Sequence, residues 1–113
     1  MRSRALVAAA AVLGTVSLAA PQAVADVGVL SSTQWTRSCG TTYSGVSSAA
    51  TDYANTRKHS GGSCKGDAWL RIQVGGVWQS WRHHSSLVEA RSPYMTAAQH
   101  KGCADCAVYT TYP

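Results

Sequence analysis

Two indoles and two guanidiniums fall within one short stretch of this chain, at Trp69, Arg71, Trp78 and Arg82, with Gln73 among them. Indoles stack on sugar rings and on apolar or aromatic groups, and an arginine grips phosphate or carboxylate through a forked pair of hydrogen bonds. Whether they act together depends on what positions them. Ala68, Leu70, Ile72 and Val74 alternate with Trp69, Arg71 and Gln73, a period of two that specifies a strand. Gly75-Gly76 follows, suited to a two-residue primed turn whose central positions need positive φ. Val77 to His83 then returns as the partner strand. A turn made of the two glycines alone fixes the register. Val74 faces Val77, Ile72 faces Gln79 and Leu70 faces Trp81 on a mainly apolar side directed at the core. Gln73 faces Trp78, Arg71 faces Ser80 and Trp69 faces Arg82 on the other. Trp69, Arg71, Gln73, Trp78 and Arg82 are therefore the candidate ligand-binding residues. A Trp69–Arg82 cation–π contact adds about 0.5–1 kcal/mol at an exposed site. Large aromatics are mostly buried, so a face covered by another strand or by the tail is the other reading, and the sequence leaves both open.

Other chemistries find less support. His100, Cys103 and Cys106 share part of a zinc spacing, with His59, His83 or His84 as a fourth ligand. Outside the cell those cysteines are expected to be oxidised, and a disulfide cannot ligate as thiolates. Neither a metal nor another cofactor is expected. A redox-active Cys-x-x-Cys is disfavoured because no βαβ pattern surrounds it. The acids Asp26, Asp52, Asp67, Glu89 and Asp105 are scattered, so a glycosidase carboxylate pair would have to be assembled by folding. No nucleophile elbow, phosphate loop or His-Glu-x-x-His is present. His83-His84, beside Arg82 and near Glu89, has the groups for acid–base work on a phosphodiester, but adjacent histidines ending a surface strand are the simpler reading. The chain is expected not to be an enzyme.

The elements around the hairpin point to an all-β domain. Aromatic and β-branched residues between glycine-rich breaks favour strands, and no segment carries a long helical stripe. Val27 to Arg37 reads as a first strand with Val27, Val29 and Trp35 inward, and Gly40 to Gly45 reads as a turn. Val46 to His59 fits a helix, with Ser47 as its cap, as well as it fits a serine-rich strand. Ser60 to Gly66 is a loop. Met95 to His100 has the makings of one short helical turn, and Asp105 to Tyr112 reads as a closing strand. The expectation is a small disulfide-stabilised antiparallel β-sandwich of about five strands with one short helix as an option.

Residues 1–25 read as a secretory signal. Arg2 and Arg4 precede the apolar run Ala5 to Ala20, and Ala23-Val24-Ala25 offers a small-x-small cleavage site. Cleavage there removes 25 of the 113 residues and leaves 88, residues 26–113, as one small β domain. Two of the ten Lys and Arg leave with the signal and all five acids stay, so the net charge falls from +5 to +3. That excess favours anionic envelope surfaces but is too weak to argue for nucleic acid. No later segment is expected to span a membrane. Cys39, Cys64, Cys103 and Cys106 all fall in the secreted part, an even count that implies two disulfides. Three pairings are possible. Cys39–Cys64 with Cys103–Cys106 is favoured, and linking Cys39 and Cys64 each into the tail is the rival.

Gly45-Val46-Ser47-Ser48-Ala49, then Tyr53, Lys58-His59-Ser60 and Gly76-Val77-Trp78, in that order, resemble the lactococcin 972 family of secreted bacteriocins. Trp35 matches an early family tryptophan, and Tyr109 and Tyr112 match its tyrosine-rich end. The similarity runs in patches from about Trp35 to Trp81. Ala50, Ala54 and Asn55 depart from it, standing where the family has aromatic and histidine residues. The cysteine framework and Gln79-Ser80-Trp81-Arg82 depart from it too. The resemblance implies a β-sandwich that acts outside the producing cell, without forming pores, by binding the cell-wall precursor lipid II. That ligand carries a pyrophosphate, amino sugars and a prenyl chain. The partner expected on this reading is an envelope precursor or anionic surface of target bacteria. A secreted hydrolase is the alternative partner: Gln79-Ser80-Trp81-Arg82 is similar to the Trp-Arg-aromatic loop of tendamistat-type amylase inhibitors, although His83 replaces the Tyr and the cysteine spacing differs.

Overall fold

Strand alternation dominates the chain from Leu30 onward, and the computed structural model describes residues 30–113. The expected signal segment, Val27 and Val29 lie outside the described residues. Nine strands follow in order: β1 (Leu30–Thr36), β2 (Thr42–Ser48), β3 (Tyr53–Lys58), β4 (Ala68–Val74), β5 (Val77–Trp78), β6 (Arg82–His84), β7 (Leu87–Arg91), β8 (Met95–Lys101) and β9 (Tyr109–Thr111). One sheet runs β1-β2-β3-β7. The other runs β9-β8-β4-β5, with β6 also paired to β4. Every pairing is antiparallel, and the described residues contain no helix. The result is a small antiparallel β-sandwich.

Two local expectations are decided or corrected by the sheets. Val46 to His59 is neither one helix nor one strand: it is the end of β2, a turn at 49–52 and β3. Asp52 makes that reversal at φ 51°, a left-handed conformation that Asp tolerates because its short side chain bonds locally. Met95 to His100, read as a helical turn, is instead β8, paired on both edges by β4 and β9. Two full ladders outweigh the weak helical propensity of so short a segment.

The inner faces meet over a core that is mostly alanine. Ala54, Ala68, Ala90 and Ala98 pack with only three larger side chains, Leu70, Ile72 and Val88, and Val74 and Met95 close its margin. So little apolar bulk gives a small domain modest stability, which is where covalent staples matter most. The disulfides are Cys39–Cys64 and Cys103–Cys106, the favoured pairing. The first closes a separation of 25 residues, worth about 3 kcal/mol in the chain-entropy model. Replacing both Cys39 and Cys64 with serine is expected to lower urea stability by about that amount. An unchanged midpoint would mean that hydrogen bonds such as Ser63 N to Cys39 O (2.9 Å) hold the loop alone.

Beside the alanine core lies a buried polar layer joining the two sheets. Ser47 Oγ on β2 donates to Thr111 Oγ1 on β9 at 2.8 Å. Thr111 Oγ1 lies 2.9 Å from His100 Nε2, and His100 Nδ1 lies 2.8 Å from Thr56 Oγ1 on β3. One polarity satisfies the chain: Thr111 passes its single proton to Nε2, leaving Nδ1–H to donate to Thr56. His100 is fully buried. Burial pushes its pKa down to about 4, against a backbone hydrogen bond at Asn55 that opposes the shift. Gly45 lies against the imidazole so closely that no side chain fits between.

Candidate functional site

The Gly75-Gly76 turn forms as the sequence requires, with φ of 57° and 83°. Val74 pairs with Val77 and Gln73 with Trp78. Beyond that point the expected register fails by one residue. Gln79 N still donates to Ile72 O at 2.9 Å, but the chain leaves the ladder until β6, where Leu70 pairs with Arg82, Trp69 with His83 and Ala68 with His84. One extra residue between Trp78 and Arg82 reverses which side each later residue occupies, as a bulge does.

That slip corrects two placements. Arg82 does not join the Trp69 face. It opposes Leu70, and its Nη1 donates to Glu89 O on β7 at 3.1 Å, tying the two sheets together. Trp81, expected opposite Leu70 on the core side, instead joins Arg71 on the outer face. Trp69, Arg71, Gln73 and Trp78 do share the outer face, as expected from the alternation.

The outer face of the five-stranded sheet carries a continuous stack of rings and cations. Arg71 Cζ lies over Trp78 and over Trp81, 4.7 Å from each ring centre. Lys101 Nζ is 4.1 Å from Trp81 and 5.1 Å from Trp69. Trp69 stacks on His83 at 4.1 Å and 22°, and His83 Nδ1 meets Asp67 Oδ2 at 2.7 Å. A positive charge over an indole face is attracted by the ring quadrupole, by about 0.5–1 kcal/mol where exposed and more where desolvated. The three tryptophans are half-buried, with Arg71 and Lys101 lying against their rings. No described strand lies over this face.

Neighbouring strands fix each rung. Arg71 pairs with Gln99, and Lys101 with Trp69, because β4 lies between β5 and β8. Arg71 Nε donates to Gln99 Oε1 at 2.8 Å, and Gln99 Nε2 donates to Thr110 Oγ1 at 3.3 Å. Gln73 Oε1 accepts from Thr96 Oγ1 at 2.8 Å, so it borders the stack without entering it. Lys101 is buried, and its Nζ donates to Ala104 O at 2.7 Å in the Cys103–Cys106 loop. The two cations therefore differ. Lys101 is committed to structure, whereas Arg71 lies against two indoles with Gln99 on Nε, and its terminal nitrogens have no hydrogen-bond partner among the described residues. Among the described residues the only ion pair is His83–Asp67, so neither Arg71 nor Lys101 is neutralised by a carboxylate.

Sequence reasoning missed Trp81, Lys101, His83 and Gln99 at this face. Period-two alternation in β8 marks Gln99 and Lys101 as same-side residues, but only the strand order brings them beside Trp69 and Arg71. The opposite sheet carries a smaller set, in which Arg91 Cζ lies 4.5 Å from the Tyr53 ring centre and Trp35 stacks on Tyr43. There, Tyr53 donates to Glu89 at 2.6 Å and accepts from Asn55 at 2.9 Å. Burial, and then the Glu89 hydrogen bond, raise the pKa of its hydroxyl. His100, Cys103 and Cys106 do not converge as ligands: His100 sits in the core, and the two cysteines are joined to each other. Among the described residues no helix is long and apolar enough to cross a membrane.

Fold and site together define a disulfide-stapled antiparallel β-sandwich with one aromatic–cationic face. The chain matches no family model, no curated protein and no solved structure.

Proposed function

We propose that this is a secreted antibacterial binding protein, not an enzyme, whose aromatic–cationic face takes an anionic cell-envelope ligand of the lipid II kind. The observation that carries the reading is Arg71, held between Trp78 and Trp81 on a sheet face that no described strand covers, with no carboxylate partner among the described residues. A guanidinium fixed in this way presents its donors already oriented, which lowers the ordering cost of gripping a phosphate or carboxylate. The indole edges on either side suit the sugar or prenyl portion of such a ligand. Two disulfides fit an oxidising compartment outside the cell. The lactococcin 972 resemblance, covering Gly45 to Ala49, Lys58 to Ser60 and Gly76 to Trp78, points the same way.

The hydrolase-inhibitor alternative has less to stand on. Its motif centres on Trp81, which is half-buried against Arg71 and Lys101 instead of standing at a loop tip.

The test is binding of the secreted domain to vesicles with and without lipid II, alongside growth inhibition of Gram-positive bacteria. Arg71→Met is expected to weaken lipid II binding by about 10- to 100-fold, the worth of a charge-assisted contact, with far-UV circular dichroism unchanged. Arg82→Ala is expected to leave binding within about threefold, because a hydrogen bond remote from the face contributes little to it. Full binding and killing by Arg71→Met would remove the proposed site, and tight inhibition of an amylase or protease would favour the alternative.

A further inference from the structure

A second cation outside the stack is held in a manner that points to a ligand of its own. Arg37 follows β1 directly, and its Nη1 lies within hydrogen-bonding distance of three neutral oxygens: Tyr43 Oη at 3.2 Å, Lys65 O at 3.1 Å and Gly102 O at 3.2 Å. These acceptors come from β2, from the loop before β4 and from the end of β8. The guanidinium is thus pinned at one nitrogen by three separate segments. None of its partners carries a negative charge, and among the described residues no carboxylate pairs with it.

Arg37 also lines an open cleft of about 200 Å³, with Trp35, Ser38, Cys106 and Tyr109 among its other walls. The walls are rigid. Trp35 is stacked between Tyr43 (5.6 Å, 11°) and Tyr109 (4.4 Å, 22°). Cys106 is tied to Cys103, and Ser38 adjoins Cys39, which is tied to Cys64. Gly102 lies so close to Tyr43 that an added Cβ would stand 2.9 Å from the ring, so two of the residues that hold Arg37 are packed tightly against each other.

We infer that this cleft is a binding site for a single sugar ring bearing one acidic group, a carboxylate or a phosphate ester. The volume is below the roughly 300–1,000 Å³ of pockets for drug-sized ligands, so it suits one ring and not a chain of them. Tyr43 and Tyr109 both stack on Trp35, and the rings of Trp35 and Tyr109 line the cleft. An aromatic face beside hydroxyl and guanidinium donors suits a saccharide, whose C–H groups pack on the ring while its oxygens and acid are hydrogen-bonded. The site is separate from the Arg71 face and does not depend on the function proposed for that face.

The experiment is a titration of the ¹⁵N-labelled secreted domain with glucuronate, glucose 6-phosphate, glucose, benzoate and inorganic phosphate, followed by NMR. Glucuronate and glucose 6-phosphate are expected to shift the Trp35 indole N–H and the amides of Ser38, Ala107 and Tyr109. Glucose, benzoate and inorganic phosphate are expected to bind at least about tenfold more weakly, since each lacks either the charge or the saccharide ring. Arg37→Met is expected to abolish the selective shifts, and Arg71→Met to preserve them. Because Arg37→Met also removes three structural hydrogen bonds, the wild-type shift map serves as the independent readout. Shifts centred on Trp69, Trp78 and Trp81, equal binding of glucose or of benzoate, or no shifts with either acidic sugar would each overturn the assignment.

Discussion

Replacing Gly45 with alanine is expected to cost about 3–5 kcal/mol, enough to leave so small a domain largely unfolded at moderate temperature. A Cβ there would lie 2.3 Å from His100 Cγ, 2.5 Å from Nδ1 and 2.6 Å from Cδ2. The atoms it meets are the ring itself, near its point of attachment, and the ring is held at both nitrogens by Thr56 and Thr111. Relief requires either spreading the two sheets or breaking those buried hydrogen bonds, and each route is expensive. The comparison variant is Gly75→Ala, which meets nothing within 4 Å. Its cost is only that of a left-handed φ, about 1 kcal/mol. Thermal unfolding followed by circular dichroism separates the two. A Gly45→Ala protein melting within a few degrees of wild type would show that the sheets can part here without loss.

Acid is expected to weaken the fold through His100 alone by about 3 kcal/mol between pH 6.5 and pH 4. The ordinary imidazole pKa is 6.5 and burial lowers that of His100 to about 4. Above pH 6.5 the residue is neutral whether the chain is folded or unfolded, and stability is unaffected. As the pH falls below 6.5, the unfolded chain takes up a proton that the folded chain refuses, so stability declines by about 1.4 kcal/mol per pH unit. Below about pH 4 both states are protonated and this loss levels off. Urea midpoints across that interval measure the slope, and the His100 Cε1–H NMR shift reads its protonation directly. Titration of His100 near pH 6.5 in the folded protein would contradict the buried, neutral imidazole. His100→Gln is expected to flatten the slope whatever it does to overall stability.

How far the sequence could be read depended on whether a feature is local. Gly75-Gly76 with alternation on both sides fixed Val74 opposite Val77 and Gln73 opposite Trp78, and it placed Leu70 and Ile72 in the core. The slip at 79–81 carries no comparable mark: Gln79-Ser80 contains neither the glycine nor the proline that advertises a bulge, so the alternation alone puts Arg82 on the wrong side. Lys101 lies 32 positions after Trp69, and nothing local relates them. They meet because β8 inserts between β4 and β9. His100 shows a different limit. A histidine three residues before a cysteine suggests a ligand, and its role as a buried bridge emerges only when Ser47, Thr56 and Thr111 arrive from three other strands. The turn at Asp52 was legible only as an ambiguity, because Ala49 and Ala50 suit a helix as readily as an exposed reversal.

The single surplus residue between Trp78 and Arg82 makes the chemistry of this surface unusually sensitive to chain length. Deleting Ser80 would restore an unbroken hairpin, turn Trp81 toward Leu70 and bring Arg82 up beside Trp69. A substitution changes one group where it stands, whereas a deletion here would exchange an indole for a guanidinium and invert the facing of the β6 residues that pair with β4. Descendants of this chain could therefore acquire a different recognition surface in one step of length change, with β4, the glycine bend and both disulfides left as they are.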